Sequence, residues 1–295
     1  MVSADLQGIF PALITPFDRE GKVILKDLRG VARFHIEKGV DGFFVCGSAG
    51  EGPLMSISQR KLVAETVIDE AGGDVSIIVH AGTTNTEETV ELAKHAEENG
   101  ADAVGVVSPY YFEPDLEGLM EHYRLISESV SIPVLVYNIP HRTGFNVTSQ
   151  MMTKLCELPN IMGVKDSSRN LIQIQEIIQT ATKKITVING SDNLIYAALT
   201  IGVDGQISGT ANVAPELFVE LYKAFKDGDR TRALKLQAEI NSVIRALSGP
   251  PIAPFKAALA LRGVSAGFPK MPLRPLRPAE ISELKNRLTA LNLFW

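Results

Sequence analysis

The stretch NIMGVKDSS, residues 160–168, decides how the fold is interpreted, because a lysine stands where an apolar strand ends. Charged side chains are almost never fully buried without a partner, so Lys165 behind Ile161, Met162 and Val164 needs an explanation. Burial disfavours the ammonium form and leaves a neutral amine that can attack a carbonyl carbon and form a Schiff base. The alternative is an ordinary lysine at a solvated strand end, and the rest of the chain decides between the two.

Short apolar strands like this one alternate with amphipathic helical stretches at a nearly constant spacing. The predicted strands lie at residues 9–17, 42–47, 75–81, 103–108, 134–139, 162–165, 185–189 and 205–208. Eight β/α units of this kind favour an α/β protein closed into a (β/α)8 TIM barrel over an open doubly wound sheet. No G-x-G-x-x-G motif follows an early strand, so a dinucleotide site is not predicted.

Helical patterns fill the intervals between the strands. The clearest spans residues 87–99, with one apolar and one charged face. Glycines that follow helical stretches are predicted to be left-handed C-caps, namely Gly39, Gly72, Gly100 and Gly202.

The alternation stops after Gly228. Further helical patterns follow at residues 230–247, 254–262 and 279–291. We therefore predict a barrel over residues 1–228 that carries the active site, and a C-terminal helical region over residues 229–295. The proline-rich residues 269–278 are expected to pack as an extended strap, because they are few and lead into another amphipathic helix.

Composition limits the classes of function. The chain has 295 residues, of which 45% are apolar and 21% charged, enough for a barrel with an appendage. A net charge of -5 without a cluster of basic residues argues against nucleic acid or an anionic membrane as partner, and favours a small-molecule substrate. No leader-like segment or membrane-length apolar run is present, so we expect a cytoplasmic protein.

Metal and disulfide chemistry are not predicted. Cys46 and Cys156 are far apart in sequence and are expected to be buried thiols. The 5 histidines lack the spacing of a metal site. His80 ends the third strand and is expected to be a core histidine with satisfied hydrogen bonds.

Polar residues at the ends of the apolar runs are the candidates for chemistry, because active sites of such barrels lie at the C-terminal ends of the strands. These candidates are Ser48, Tyr110, Tyr111, Tyr137, Arg142 and Lys165. They supply an amine nucleophile, phenols for proton transfer, a hydroxyl group and a guanidinium suited to a carboxylate. Glycines in residues 189–191 and 208–210 leave a phosphate-handling barrel as an alternative.

Three motifs in order carry a resemblance to a known family. GSxGE at residues 47–51, YNxP at 137–140 and GVKD at 163–166 together are highly specific, although each alone would be weak. In these motifs the chain resembles the pyruvate-dependent class I aldolases related to dihydrodipicolinate synthase and N-acetylneuraminate lyase. The likeness runs from Gly8 through the barrel and is looser at residues 251–256.

The resemblance implies catalytic roles for four residues. Lys165 matches the lysine that forms a Schiff base with pyruvate or another 2-keto acid, and Tyr137 matches the tyrosine that moves protons at the forming bond. Ser48 matches a hydroxyl that holds the pyruvate carboxylate and links Tyr137 to a second tyrosine. Tyr111 matches that second tyrosine, which in relatives often reaches across a dimer interface. The alternatives are aromatic packing for Tyr137, a turn hydroxyl for Ser48 and an interface aromatic for Tyr111.

Substrate-binding roles are implied for Ser48, Ala49, Arg142, Gly190 and Ile207. Successive N–H groups at residues 47–49 suit a carboxylate, but Ala49 replaces the hydroxyl residue of most relatives. Arg142 matches an arginine that contacts the acceptor's carboxylate in the dihydrodipicolinate synthase branch, and its alternative is a loop-anchoring salt bridge. Gly190 and Ile207 match positions that line the pyruvate pocket.

The favoured function is therefore a Schiff-base aldolase that condenses pyruvate with an aldehyde, without a cofactor beyond the imine on Lys165. Arg142 favours a dihydrodipicolinate synthase activity in lysine biosynthesis, with aspartate semialdehyde as acceptor. Ala49 and the sequence Glu51-Gly52-Pro53 that follows favour instead a 2-keto-3-deoxygluconate-type or other sugar-acid aldolase. A catalytically silent 2-keto-acid binding protein is a further alternative. Relatives are commonly dimers or tetramers, so a homo-oligomer is expected.

Overall fold

A computed structural model of the protein describes residues 6–292 and shows a parallel barrel. Its strands are β1 (Gly8–Pro11), β2 (Gly42–Val45), β3 (Ser76–His80), β4 (Ala103–Val107), β5 (Val134–Asn138), β6 (Ile161–Asp166), β7 (Thr186–Asn189) and β8 (Gly205–Ser208). Their order is β1-β8-β7-β6-β5-β4-β3-β2, and a parallel bridge between Ala12 and Phe44 brings the two ends of the sheet together. The predicted (β/α)8 barrel is confirmed.

Helices cover the outside of this barrel. They are α1 (Leu25–Glu37), α2 (Ile57–Ala71), α3 (Thr86–Glu98), α4 (Leu116–Ser129), α5 (Pro140–Thr143), α6 (Ser149–Leu155), α7 (Leu171–Thr180), α8 (Ile195–Thr200) and α9 (Pro215–Lys226). The helix predicted at residues 87–99 begins one residue earlier, because Asn85 caps it by accepting the Glu88 N–H at 2.8 Å. All four glycines predicted as C-caps have positive φ, as that role requires.

The first strand is shorter than predicted. Residues 9–17 read as one apolar run, but β1 ends at Pro11. Beyond it the Ile14 N–H donates to the Asn212 side chain, and Phe17 makes only isolated antiparallel bridges to Val23 and Phe268. Hydrophobicity continues past the point where the ladder stops, because this segment is buried under the C-terminal region.

The C-terminal region forms α10 (Arg230–Ala246), α11 (Ala253–Leu261) and α12 (Pro278–Thr289). Helix α10 packs against α9, and α12 packs against α10 and α11. The predicted strap is free of helix and strand from residue 269 to residue 277, and it is tied to the barrel through the Lys270 N–H, which donates to Glu51. The boundary at Gly228 stays a prediction, because α9 and α10 pack closely.

Two apolar layers build the core. Phe10, Phe44 and Ile188 belong to the cluster inside the barrel, while Leu28 and Val63 belong to the larger cluster between strands and helices. Among residues 6–292, no helix has the length and apolar character needed to cross a bilayer.

A repeated device ties the N-terminal ends of neighbouring strands. An aspartate directly before a strand accepts the backbone N–H at the start of the strand next to it, each time at 2.7 Å. The pairs are Asp41 with Ile9, Asp102 with Ile77 and Asp204 with Val187. These aspartate ties lie at the end of the barrel opposite to the candidate site.

Candidate active site

Strand register brings the two central residues of the site together. In β5 and β6 Tyr137 lies directly opposite Lys165, and the next pair is Asn138 with Asp166. Both members of that second pair are fully buried, and the Asn138 side-chain amide donates to the Asp166 carboxylate at 2.8 Å. The Asn and Asp of the two sequence motifs therefore fix the strand ends on which Tyr137 and Lys165 stand.

Lys165 is 4% exposed and its amine lies against aromatic rings. Its Nζ is 3.9 Å from the centroid of Phe44 and 4.0 Å from that of Tyr137. Among residues 6–292 no carboxylate forms an ion pair with this nitrogen. Burial lowers the pKa of Lys165 to about 7, and the charge of Asp192 only partly opposes this. A large fraction of the amine is therefore neutral near pH 7.

Tyr137 and Ser48 are joined as the resemblance implied. The Tyr137 hydroxyl lies 3.4 Å from the Ser48 Oγ, and it also interacts with the side chain of Ser167. Burial raises the pKa of the Tyr137 phenol, while both hydroxyls oppose the rise. A protonated phenol beside a lysine amine can give a proton to a leaving hydroxyl and take it back.

Lys165 opens into a cavity of about 320 Å³, which we call the Lys165 cavity. Ala49, Gly190 and Ile207 line it, so the structure brings these predicted residues together. A Cβ at Gly190 would lie 2.0 Å from the Ser167 Oγ, which explains why this position carries no side chain. The remaining polar lining includes Ser191, Asp192, Asn193, Thr210, His141 and Arg169.

A second cavity of about 280 Å³, the Arg142 cavity, adjoins the first. Ser48, Tyr137 and Ile139 line both. Arg142 stands on the short helix α5, is exposed at the rim, and forms no salt bridge with any carboxylate among residues 6–292. The apolar part of the wall consists of Pro53, Leu54, Val107, Pro251, Ile252 and Leu273.

The comparison with known proteins decides the family. A model of the "Dihydrodipicolinate synthetase family" matches residues 5–291. The chain belongs to this family. It is accordingly a pyruvate-dependent, Schiff-base-forming carbon–carbon lyase.

Individual relatives cover essentially the whole chain. A 4-hydroxy-tetrahydrodipicolinate synthase from Methanothrix thermoacetophila is 38% identical over 289 residues, covering 97% of each chain. A prophage protein of the same family from E. coli K12, solved in complex with pyruvate, has a TM-score of 0.93 and 31% identity, covering 98% of this chain and 99% of its own. A structure of CdNal from Clostridium difficile in complex with mannosamine has a TM-score of 0.94 and 30% identity, covering 98% of this chain and 100% of its own.

Of the four predicted catalytic residues, Tyr111 alone lines neither cavity in this member of the dihydrodipicolinate synthetase family. Its side chain is 85% exposed and packs edge-on against the exposed ring of Phe112. The tyrosine of this loop that lines the Arg142 cavity is its half-buried neighbour, Tyr110. Two adjacent tyrosines after a strand point in different directions, so their sequence position alone did not separate them. The role of Tyr111 at a subunit interface stays a prediction.

His80 lies closer to the candidate site than the predicted role of a core histidine implies. It is buried as expected, but it lines the Arg142 cavity and stands edge-on to Tyr137 with ring centroids 5.7 Å apart. Its Nδ1 lies 3.1 Å from the Cys46 carbonyl oxygen, and its Nε2 has no partner among residues 6–292. Burial, Arg60 and Lys165 lower the pKa of His80 well below its usual value, so the ring is neutral. Its position at the end of β3 was the available signal.

Asp192 was missed entirely. It follows β7, lines the Lys165 cavity, and accepts hydrogen bonds from the Gln206 side chain at 3.0 Å and the Thr210 N–H at 3.1 Å. Its charge opposes the lowering of the pKa of Lys165. Among residues 6–292, no group of three or more His, Cys, Asp or Glu side chains is arranged to hold a metal ion.

Proposed function

We propose that the protein condenses pyruvate with an aldehyde through an imine on Lys165. The observation that carries this proposal is the buried amine, which has no carboxylate partner among residues 6–292, a pKa of about 7, and a cavity of about 320 Å³ in front of it. A neutral amine at physiological pH has the lone pair that attack on a ketone requires. No resident cofactor is part of the proposal, because the lysine itself becomes the electron sink.

The chemistry proceeds in balanced steps. Lys165 Nζ bonds to the ketone carbon of pyruvate. The ketone oxygen takes one proton from the Tyr137–Ser48 pair and a second from the attacking nitrogen, and it leaves as water to give an iminium ion. The Tyr137–Ser48 pair, which has given up one proton, takes a proton from the methyl group to leave an enamine. The terminal carbon of the enamine attacks the aldehyde carbon, and the aldehyde oxygen takes that proton from the pair. Water then releases the product and returns the amine. The reverse sequence cleaves a 2-keto-4-hydroxy acid.

We propose that the pyruvate carboxylate binds at the turn after β2. Among residues 6–292, no oxygen accepts the N–H groups of Ser48 and Ala49, and both residues line the Lys165 cavity. Two free N–H groups and the Ser48 hydroxyl suit a carboxylate. Ala49 contributes its backbone N–H but no hydroxyl.

The acceptor we favour is aspartate semialdehyde, which would make the protein a 4-hydroxy-tetrahydrodipicolinate synthase of lysine biosynthesis. Arg142 supports this, because its guanidinium faces a cavity that adjoins the imine site and has no carboxylate partner among the described residues. The relative from Methanothrix thermoacetophila carries this name.

A sugar-acid aldolase, for example of the 2-keto-3-deoxygluconate type, is the second candidate. The observation in its favour is the polar wall of the Lys165 cavity, where Ser191, Asp192, Asn193 and Thr210 offer partners for several hydroxyl groups. The Clostridium difficile relative was solved with an amino sugar, mannosamine.

Trapping tests the imine, and two arginine variants test the acceptor. Pyruvate and borohydride are expected to leave a reduced adduct on the peptide that contains Lys165, seen by mass spectrometry. Turnover is then compared for aspartate semialdehyde, 2-keto-3-deoxygluconate and N-acetylneuraminate in the wild type, Arg142→Ala and Arg169→Ala. Each variant removes an exposed arginine from one of the two cavities.

The expected result is a loss of about tenfold to a hundredfold in kcat/KM for aspartate semialdehyde in Arg142→Ala alone, as for a hydrogen bond to a charged group. Equal loss in both variants, or none in either, would remove the reason for preferring this acceptor. A loss confined to the sugar acid in Arg169→Ala would favour the second candidate. An adduct without turnover of any acceptor would indicate a 2-keto-acid binding protein, and no adduct would refute the proposal.

We also infer a cytoplasmic homo-oligomer, a dimer or a tetramer. Support comes from the exposed aromatic pair Tyr111 and Phe112, since adjacent exposed aromatic rings are favoured at subunit interfaces. Sedimentation of the wild type and of Tyr111→Ala tests this. A monomeric wild type would refute it.

A further inference from the structure

A buried ion pair joins the turn after β2 to helix α11. Lys256 Nζ lies 2.6 Å from Glu51 Oε1, and the two side chains are 2% and 1% exposed. The same nitrogen donates to the Thr15 carbonyl at 2.8 Å and to the Phe268 carbonyl at 2.7 Å. The ammonium group therefore makes two hydrogen bonds to carbonyl oxygens and one ion pair with a carboxylate.

On the barrel side, the pair holds a turn in an unusual backbone conformation. Glu51 has a φ of 60°, in the left-handed region that non-glycine residues seldom occupy. Its second oxygen accepts the Lys270 N–H at 2.7 Å, so both oxygens are fixed by the C-terminal region. The turn that these contacts hold also carries the Ser48 and Ala49 N–H groups.

On the C-terminal side, the pair holds a wall that borders both cavities. Pro251 and Ile252 line the Arg142 cavity, and Phe255 lines the Lys165 cavity one residue before Lys256. Ile252 has a φ of 67°, which is a true outlier for a β-branched residue. Such strain persists only where the surroundings enforce it, and it clusters at functional sites.

We propose that Glu51 and Lys256 are positioning residues for the reaction, which set the carboxylate-binding turn at Ser48–Ala49 against the wall formed by residues 251–255. The proposal rests on the imine chemistry proposed above. Donors fixed in advance bind a carboxylate and its developing charges better than donors that must be reoriented, so a shift in this turn weakens pyruvate binding. Neither side chain takes part in a bond-forming step.

A second ion pair provides the control. Arg262 at the end of α11 binds Glu216 on α9 at 2.6 Å, so it also fastens α11 to the barrel. Neither residue lines the two cavities. If fastening α11 were all that mattered, loss of either pair would have the same consequence for the site.

The test uses Glu51→Gln, Lys256→Met, the double variant of both, and Glu216→Gln as control. Three quantities are measured in each full-length protein: the Tm, the pyruvate concentration that gives half-maximal borohydride-trapped adduct, and kcat for the acceptor. Both single variants are expected to raise the half-saturating pyruvate concentration about tenfold. This is less than the roughly hundredfold loss of rate that a misplacement of about 1 Å can cause. Glu216→Gln is expected to lower Tm and leave pyruvate saturation unchanged.

The double variant separates positioning from stability. It removes both charges, so its Tm is expected to rise above that of Lys256→Met, while its half-saturating pyruvate concentration stays high. If the Tm and the half-saturating pyruvate concentration of the double variant both returned toward the wild-type values, the positioning role would be refuted. An equal effect of Glu216→Gln on pyruvate saturation would refute it too, and in both cases the proposed function would stand. A wild type that forms no adduct at all would overturn the proposed function and this inference with it.

Discussion

Lys165 and Lys256 are both buried in the same barrel, at 4% and 2% exposure, yet their surroundings differ in kind. The nitrogen of Lys256 donates to two carbonyl oxygens and forms an ion pair with a carboxylate. The nitrogen of Lys165 faces the rings of Phe44 and Tyr137 and has no ion-pair partner among the described residues. Burial lowers the pKa of both lysines. At Lys165 the charge of Asp192 opposes this lowering without an ion pair, whereas at Lys256 Glu51 opposes it in direct contact.

The difference teaches that burial alone does not make a lysine a nucleophile. A buried amine is available for chemistry when no oxygen lies close enough to stabilise its charged form. It has a structural role when carbonyl and carboxylate oxygens surround it. The two lysines therefore predict opposite outcomes for the same substitution.

The largest expected effect is on turnover. Among residues 6–292, Lys165 is the one lysine that lines the Lys165 cavity. Lys165→Met is therefore expected to lower kcat by about a thousandfold or more, with loss of the trapped adduct. Lys184→Met, at an exposed lysine, is the control and is expected to change neither. Residual adduct in Lys165→Met, mapped by mass spectrometry to another lysine, would break the comparison.

Lys256→Met is expected to affect stability first. It leaves the Glu51 carboxylate buried without its partner, and removing one member of a buried pair costs about 3–5 kcal/mol in the free energy of unfolding. Adduct formation on Lys165 at saturating pyruvate is expected to persist below the lowered Tm. Urea unfolding measures the loss, and a stability equal to that of the wild type would show that the pair contributes little.

The third prediction concerns pH. The pKa of a lysine is 10.5 in the unfolded chain, and that of Lys165 is about 7 in the folded protein, so the unfolded chain binds more protons between these values. This group's contribution to the free energy of unfolding is therefore least favourable below pH 7 and improves as pH rises toward 10.5. Lys165→Met should exceed the wild type in stability most at low pH, and the gap should close with rising pH.

The rate of adduct formation provides the matching kinetic measurement. Protonation removes the lone pair, so the initial rate is expected to rise across a midpoint near the pKa of about 7. A stability gap between the two proteins that is constant with pH, together with a flat rate profile, would mean that Lys165 is not titrating in this range.

The smallest expected effect concerns Ala49. Ala49→Thr adds a hydroxyl to the wall of the Lys165 cavity, which Ala49 lines. One neutral hydrogen bond is worth about 1 kcal/mol, so the half-saturating pyruvate concentration is expected to fall by about fivefold at most. Ala49→Val, which adds similar volume without a hydroxyl, is the control, and an equal gain there would attribute the effect to packing.

The nucleophile Lys165 could be predicted from the sequence, but the buried ion pair of Glu51 and Lys256 could not. A cation within an apolar strand is a local conflict, visible in a few residues, and Lys165 stands out for that reason. Lys256 lies in a helix, where lysine is ordinary, and its partner Glu51 is distant in the chain. Motif likeness pointed to both segments, but local pattern contains no information on which distant charges will meet.

Strand ends and loop directions set a second limit. Alternation of apolar runs gave the number and order of the strands, because that pattern reflects burial over many residues. It extended β1 too far, because apolar residues after Pro11 are buried without joining the ladder. It could not distinguish Tyr110 from Tyr111 either, since both follow the same strand and only the structure shows that Tyr110 lines the Arg142 cavity, while Tyr111 has the positive φ of 78°.

The aspartate ties made by Asp41, Asp102 and Asp204 have an evolutionary consequence. They join neighbouring strands at the N-terminal end of the barrel, and none of the three aspartates lines either cavity. The loops at the C-terminal ends of the strands can therefore change during evolution without weakening these contacts between strands. A scaffold built in this way lets descendants of one ancestor keep their covalent chemistry while they change the second molecule they accept.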